Sequence, residues 1–81
     1  MNDVARNPRQ IGNTIRRTRK TRGWSQADLG AKARLRQATI SSIENGNPAV
    51  RIENLLAVLA ALGLELQIAP RSQGWDIESN L

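Results

Sequence analysis

A run of short and polar residues, RQATISSIENG at positions 36–46, carries most of the recognisable chemistry of this 81-residue chain. The run starts with a cation, an amide and a methyl group, in the order Arg36, Gln37 and Ala38. Arginine pairs with O6 and N7 of guanine, glutamine pairs with adenine, and a methyl group contacts the methyl of thymine. These three residues are therefore candidates for reading base edges, and a solvent-exposed helix without a function is the alternative.

A short helix is predicted to precede this run. SQAD at positions 25–28 has the S/T-x-x-acid form of a capping box, which marks the start of a helix. We expect the helix to end near positions 33–34, with Ala27, Leu29 and Ala31 buried. The backbone amides at its start suit a phosphate group, assisted by the side chain of Gln26.

A second helix is predicted to carry the run itself, from about Gln37 to Asn45. Ile40 and Ile43 lie three apart, which is the spacing of one buried helix face, and Gly46 ends the helix. Two short helices joined by a tight turn form a helix-turn-helix unit. The second helix of such a unit enters the DNA major groove with its N-terminal residues against the base edges.

Two further helices complete the predicted bundle. The first is expected to begin at Pro8 and to end at Gly23. The last is RIENLLAVLAALG at positions 51–63, which is apolar nearly all round and should therefore be buried nearly all round. Because three short helices cannot wrap it completely, we expect a second copy of the chain to cover it, with Leu59 and Leu62 in the dimer interface.

A β-strand is predicted after the last helix. LELQIAP at positions 64–70 alternates Leu64, Leu66 and Ile68 with polar or small residues, which is the period of a half-buried strand. A lone strand needs a partner edge, and the same strand of a second protomer, antiparallel about a two-fold axis, would supply it. A fifth helix is the alternative for this segment.

Basic residues are concentrated in the first half of the chain, whose overall net charge is +5. Ten of its twelve basic residues fall between positions 6 and 36, against the single acid Asp28. Such a segment suits a polyanion such as nucleic acid. Arg17 is a candidate phosphate contact on the first helix. A merely solvated face is the alternative for Arg17 and for three neighbouring cations, Arg16, Lys20 and Arg22.

The composition argues against catalysis and against metal binding. The chain has no His, Cys or Tyr and no clustered carboxylates, so we expect no enzyme activity, no cofactor and no metal site. No signal peptide is visible, and no run approaches the roughly 20 apolar residues of a membrane span. We therefore expect a cytoplasmic protein, at the nucleoid of a bacterium.

The linked pattern WSQADLG, RQATISSIENG and NLLAVLAALGLEL resembles the Cro/repressor-type (Xre) helix-turn-helix family over about residues 10–63. The ending LGLELQIAP and the motif ATIS are most similar to the HipB-like antitoxins that partner HipA-type serine/threonine kinase toxins. The resemblance implies a lambda-repressor-like bundle of about four helices with a C-terminal strand that pairs across a homodimer.

The resemblance also assigns roles residue by residue. It implies base contacts for Ser42 and, secondarily, Ser41, beside those of Arg36, Gln37 and Ala38. It implies an internal ion pair between Arg19 and Glu44 that ties the first helix to the third. It further implies contacts to the DNA backbone, which we assign to Ser25, Gln26, Thr39 and Asn45, with Arg17 and Arg19 added for their charge.

Two positions depart from the family pattern. Arg34 stands where the turn usually carries Gly, so a non-glycine residue is expected in the left-handed conformation. Arg36 stands where a Ser or Thr cap is usual, so the third helix loses a side-chain cap worth roughly 1 kcal/mol. Both changes add a cation near DNA, which suggests that local stability is exchanged for affinity.

Three segments are predicted: a flexible arm at 1–8, a DNA-binding and dimerisation domain at 9–70, and a flexible tail at 71–81. Trp75 in the tail is either an anchor for a partner protein or a residue without a role. By resemblance, the chain is expected to be a homodimeric repressor of a palindromic operator and the antitoxin of a HipA-like kinase. The alternatives are a stand-alone phage-type or restriction–modification regulator of the same fold, and a basic module that binds RNA or protein.

Overall fold

The computed structural model describes residues 4–71, which form four helices and no strand. The helices are α1 (Pro8–Thr21), α2 (Gln26–Ala33), α3 (Gln37–Glu44) and α4 (Ile52–Ala61). Helix α1 packs on α3, and α2 packs on both α3 and α4. The predicted all-α bundle of four helices is confirmed. Trp75 lies outside the described residues.

The core is aliphatic and draws on all four helices. Its buried members are Ile15, Leu29, Ile40, Ile43, Val58, Leu59 and Leu62. Helix α2 contributes Leu29 and Gly30, whereas Ala27 and Ala31 are exposed, so the prediction that both alanines are buried is wrong. Each alanine lies two residues from Leu29, which is about 200° around the helix axis, and so faces away from the core.

Helix α4 differs from its predicted role in the dimer. Leu59 and Leu62 are 8% and 0% exposed within a single chain, so they belong to the core of the protomer and are not free to form an interface. The exposed apolar residues of α4 are instead Ile52 and Leu56, four apart on its outer side. A helix that is apolar nearly all round does not reveal from its sequence which side meets the core.

Residues 64–71 have no regular secondary structure in the single chain. Leu64 is half-buried against the core, while Leu66 and Ile68 are 54% and 94% exposed. A strand requires a second edge for its hydrogen bonds, and a single chain has none to offer here. The predicted intermolecular strand therefore stays a prediction, and its exposed leucine and isoleucine are free to meet a second protomer.

Candidate nucleic-acid interface

The start of α2 is a capping box, as predicted. The Ser25 hydroxyl accepts from the Asp28 amide at 2.9 Å, and the Asp28 carboxylate accepts from the Ser25 amide at 2.8 Å. The hydrogen bond from the Ser25 backbone amide, and after it one from the Ser25 side chain to the carboxylate, lower the pKa of Asp28. The N–H groups in the first turn of a helix have no partner within the helix and point outward, which suits a phosphate oxygen.

The turn between α2 and α3 shows both predicted departures from the family pattern, a left-handed Arg34 in place of glycine and an Arg36 whose side chain does not cap α3. Arg34 adopts φ 60° and ψ 43°, the left-handed conformation, and the Leu35 amide donates to the Gly30 carbonyl at 2.8 Å. A Cβ atom on Gly30 would lie 2.7 Å from the Leu35 oxygen, so only glycine allows this close approach. Arg36 is the N-cap of α3 and makes no side-chain cap hydrogen bond.

Helix α3 divides into an inner and an outer face. Ile40, Ile43 and Glu44 are buried. Gln37, Ala38, Ser41, Ser42 and Asn45 fall within a sector of about 140° on the other side, at 100° per residue, and the remaining predicted base contact, Arg36, precedes the helix as its N-cap. Of these, Arg36, Gln37, Ala38 and Asn45 are exposed, and Ser41 and Ser42 are half-buried. Thr39 is half-buried at the margin of this sector.

Glu44 joins three helices beneath the recognition surface, which is the outer face of α3 formed by Gln37, Ala38, Ser41, Ser42 and Asn45 together with Arg36. Its carboxylate accepts from Arg19 Nε at 2.6 Å and Nη2 at 3.0 Å, from Arg16 Nε at 3.3 Å, and from Gln26 Nε2 at 3.2 Å. Burial alone would raise the pKa of Glu44, but the hydrogen bonds from Arg19 and Gln26 and the charge of Arg19 outweigh it, so the pKa is lowered. The expected Arg19–Glu44 ion pair is present.

Arg19 is placed differently from the other predicted phosphate contacts. It is 8% exposed, and besides its bonds to Glu44 its Nη1 donates to the Trp24 carbonyl at 2.7 Å. A guanidinium that is buried and paired in this way has no route to a DNA phosphate, so that part of the prediction is wrong. Ser25 and Gln26 stand together at the start of α2, and Arg17 lies on the exposed side of α1.

Arg16 has a role that the sequence did not reveal. Its Nη2 donates to the Asn45 side-chain oxygen at 2.9 Å and to the Glu44 carbonyl at 3.5 Å. From the sequence, Arg16 was indistinguishable from the other cations of α1. One signal was available, because Arg16 lies three residues before Arg19 and such residues share a helix side.

Arg22 was expected to meet phosphate or solvent and instead contacts the end of α4, where its Nη2 donates to the Leu62 carbonyl.

Residues 4–71 contain no cluster of His, Cys, Asp or Glu that could hold a metal ion. In the same part of the chain, no helix has both the length and the apolar character needed to cross a membrane.

A sequence model described as Helix-turn-helix matches residues 15–68. The chain is also 31% identical over 61 residues to Antitoxin HipB of Escherichia coli (strain K12), which covers 75% of this chain and 69% of that protein. This chain belongs to the helix-turn-helix family of the HipB antitoxins.

Solved HipB structures have the same fold. A HipA–HipB–O2–O3 complex aligns with a TM-score of 0.80 at 27% identity, over 88% of this chain and 100% of that chain. A HipB–O4 20mer complex aligns with a TM-score of 0.81 at 27% identity, over 88% and 100%. The HipB-type fold therefore extends over nearly all of the described residues.

Proposed function

We propose that this HipB-type protein is a homodimeric, sequence-specific repressor of double-stranded DNA and the antitoxin of a type II toxin–antitoxin pair. The observation that carries the proposal is the outer face of α3, where Gln37 and Ala38 are exposed next to Arg36. Arg36 offers a planar set of donors, Gln37 a planar amide and Ala38 a methyl group, at the start of a helix that the buried polar network of Glu44 holds in place. HipB proteins of this fold form a complex with HipA and O2–O3 and a complex with an O4 20mer.

In this proposal, the start of α2 binds phosphate through its amides, Ser25 and Gln26, while α3 reads bases. Thr39 and Asn45 contact the backbone, and Arg17 adds a sequence-independent cation. Phosphate contacts set the register of the protein on the duplex and base contacts set its specificity. The protein acts in the bacterial cytoplasm, at the operator of its own operon.

A substitution of Gln37 tests the reading of bases. A duplex is selected from a random-sequence pool by its affinity for the wild-type protein, and binding is measured by fluorescence anisotropy. Gln37→Ala should lose about 1–3 kcal/mol on the selected duplex while leaving its affinity for random duplex nearly unchanged. Gln10→Ala removes an equally exposed glutamine from α1 and should have little effect on either. Equal losses on both duplexes would exclude direct readout by Gln37.

The dimer is proposed to form through the exposed apolar residues beyond the protomer core. These are Leu66 and Ile68 of the predicted strand and Ile52 and Leu56 of α4. Leu64, which begins the predicted strand, is half-buried against the core and would extend the interface from there. Ile68→Glu places a charge at the most exposed of them and should convert the dimer to a monomer in sedimentation equilibrium. Gln67→Glu adds the same charge one residue away, on the other side of an extended chain, and should leave the dimer intact.

A HipA-like serine/threonine kinase is the proposed protein partner. The test is co-expression with a kinase of this class encoded beside the gene, followed by size-exclusion chromatography of the complex. Trp75 is proposed as one anchor for the kinase, so Trp75→Ala should weaken the complex without affecting DNA binding. Co-elution that does not depend on Trp75 would refute the role of the tail, and the absence of any complex would refute the antitoxin assignment.

A further inference from the structure

The side-chain amide of Asn45 is held between two helices. Its Oδ1 accepts from Arg16 Nη2 of α1 at 2.9 Å, and its Nδ2 donates to the Ser41 hydroxyl of α3 at 3.4 Å. Asn45 is also the C-cap of α3 and is exposed at the end of the recognition surface. Its amide therefore has an inner end toward α1 and an outer end beside Ser41.

The inner partner decides which way the amide points. An asparagine amide offers an acceptor oxygen on one side and two N–H donors on the other, and the two orientations have nearly the same shape. A guanidinium has donors only and never accepts. Arg16 therefore selects the orientation with Oδ1 inward, which leaves the Nδ2 donors at the outer end. Ser41 accepts one of these hydrogens and keeps its own hydroxyl hydrogen as a donor.

Arg16 is itself held in place. Its Nε lies 3.3 Å from the buried Glu44 carboxylate, its Nη2 lies 3.5 Å from the Glu44 carbonyl, and its side chain is 38% exposed. The C-terminal end of a helix carries a partial negative charge that disfavours a nearby phosphate. A cation bound to the last carbonyl of α3 offsets this charge where Asn45 would meet DNA.

We propose that Arg16 is a positioning residue that presents the Asn45 Nδ2 and Ser41 hydroxyl groups as a pair of donors to a hydrogen-bond acceptor on the operator. The inference rests on the proposed DNA-binding function and deepens it. The acceptor is either a phosphate oxygen or a base-edge atom such as guanine N7 or O6. Base-edge donors such as the adenine N6 or cytosine N4 amino groups do not fit this end of α3.

The hold of Arg16 on the amide is tested first in the free protein, by ¹⁵N relaxation of side-chain NH₂ groups. In the wild type the Asn45 NH₂ group should be rigid, with an order parameter near 0.85. Arg16→Met keeps the length of the side chain but removes its donors, and should lower that order parameter below about 0.6. Arg16→Lys keeps a donor-only group and should restore much of the rigidity. Lys20→Met removes the same charge one turn later on α1 and should change nothing at Asn45.

Measurements of DNA affinity test whether the positioning of Asn45 by Arg16 matters for binding. On the selected duplex, Arg16→Met and Asn45→Ala should each lose about tenfold in affinity, and the double variant should lose about tenfold as well, because the two residues act as one unit. The dependence of affinity on salt should be the same for Arg16→Met as for Lys20→Met. Losses that multiply in the double variant, or a salt slope that falls by about 0.9 in Arg16→Met alone, would make Arg16 a direct phosphate contact and overturn the proposal.

Modified duplexes identify the acceptor. A neutral methylphosphonate replaces one phosphate at a time, or a 7-deazaguanine replaces one guanine at a time. At a single position in the duplex, one of these modifications should abolish the tenfold difference in affinity between wild type and Arg16→Met. The first result assigns a phosphate oxygen and the second a base atom, and a difference that survives every modification contradicts the proposal. If no duplex is bound preferentially, the repressor function fails, whereas the relaxation experiment still decides whether Arg16 holds the Asn45 amide rigid.

Discussion

Arg22 Nη2 donates to the main-chain oxygen of Leu62 at 2.6 Å, which joins the end of α1 to the end of α4. Leu62 is fully buried and is the C-cap of α4, and helix C-termini leave carbonyls without partners. The guanidinium also lies 5.5 Å from the centre of the Trp24 ring, and Lys32 lies over the same ring at 4.6 Å. One side chain thus caps a helix and packs against the loop before α2.

The Arg22 cap should contribute to stability. Arg22→Ala removes a charge-assisted hydrogen bond to the part-buried Leu62 carbonyl, and should lower the free energy of unfolding by about 1–2 kcal/mol. Lys20→Ala, an exposed cation on the same turn of α1, should change it by less than about 0.5 kcal/mol. Urea denaturation followed by circular dichroism measures both, and equal effects would show that only the charge matters.

Loss of the Glu44 carboxylate should lower the free energy of unfolding far more than loss of the Arg22 cap. Glu44→Ala leaves the buried Arg19 guanidinium without its counter-ion, which typically costs about 3–5 kcal/mol, a large share of the stability of so small a domain. The exposed pair of Arg51 and Glu53, with 3.4 Å between its charged atoms, supplies the control. Glu53→Ala should cost about 0–1 kcal/mol in the same denaturation experiment. Comparable losses would mean that the buried network adds nothing beyond an ordinary surface pair.

Stability should fall in acid, and Glu44 should account for part of the fall. Because its folded pKa is lowered, the unfolded chain takes up this proton first as the pH drops. The stabilisation is fully present above the ordinary value of 4.5 and is lost as the pH falls through the lower, folded value. The lowered pKa of Asp28 acts in the same direction. Glu44→Gln should flatten the dependence of the urea midpoint on pH below about 4.5, and an unchanged slope would contradict this assignment.

Restoring the missing cap of α3 should separate stability from DNA affinity. Arg36→Ser supplies a side-chain acceptor to the amides of the first turn and should raise the free energy of unfolding by about 0.5–2 kcal/mol. The same change removes a cation and a guanine-pairing group from the recognition surface, so affinity for the selected duplex should fall. Arg36→Ala, which loses the cation without gaining a cap, should weaken DNA binding equally but add no stability. A serine variant that gains both properties would show that Arg36 contacts no DNA.

The helix ends were largely predictable because they depend on local chemistry. Gly23, Gly46 and Gly63 all adopt positive φ angles just beyond a helix, as expected of glycines that end helices. The left-handed Arg34 was also predictable, since the turn requires that conformation whichever residue occupies it. In these cases the signal and the structure lie within a few residues of each other.

What could not be predicted depends on contacts between distant residues. In α4, apolar residues surround the axis, so the sequence could not distinguish the core residue Leu59 from the exposed Leu56. On α1, the sequence shows several similar cations, and only the position of α3 makes Arg16 a partner of Asn45. Whether residues 64–70 form a strand depends on a second protomer, which one sequence does not describe.

The buried carboxylate of Glu44 also bears on which partner, the protein or the DNA, changes shape when the two bind. Its donors come from α1 and α2, so any rotation of α3 about its own axis breaks hydrogen bonds to both helices at once. The recognition helix consequently cannot adjust to a poorly spaced or wrongly twisted half-site at small energetic cost. The duplex must then supply the bending and twisting, and operator preference will extend to flexible base steps that no side chain touches.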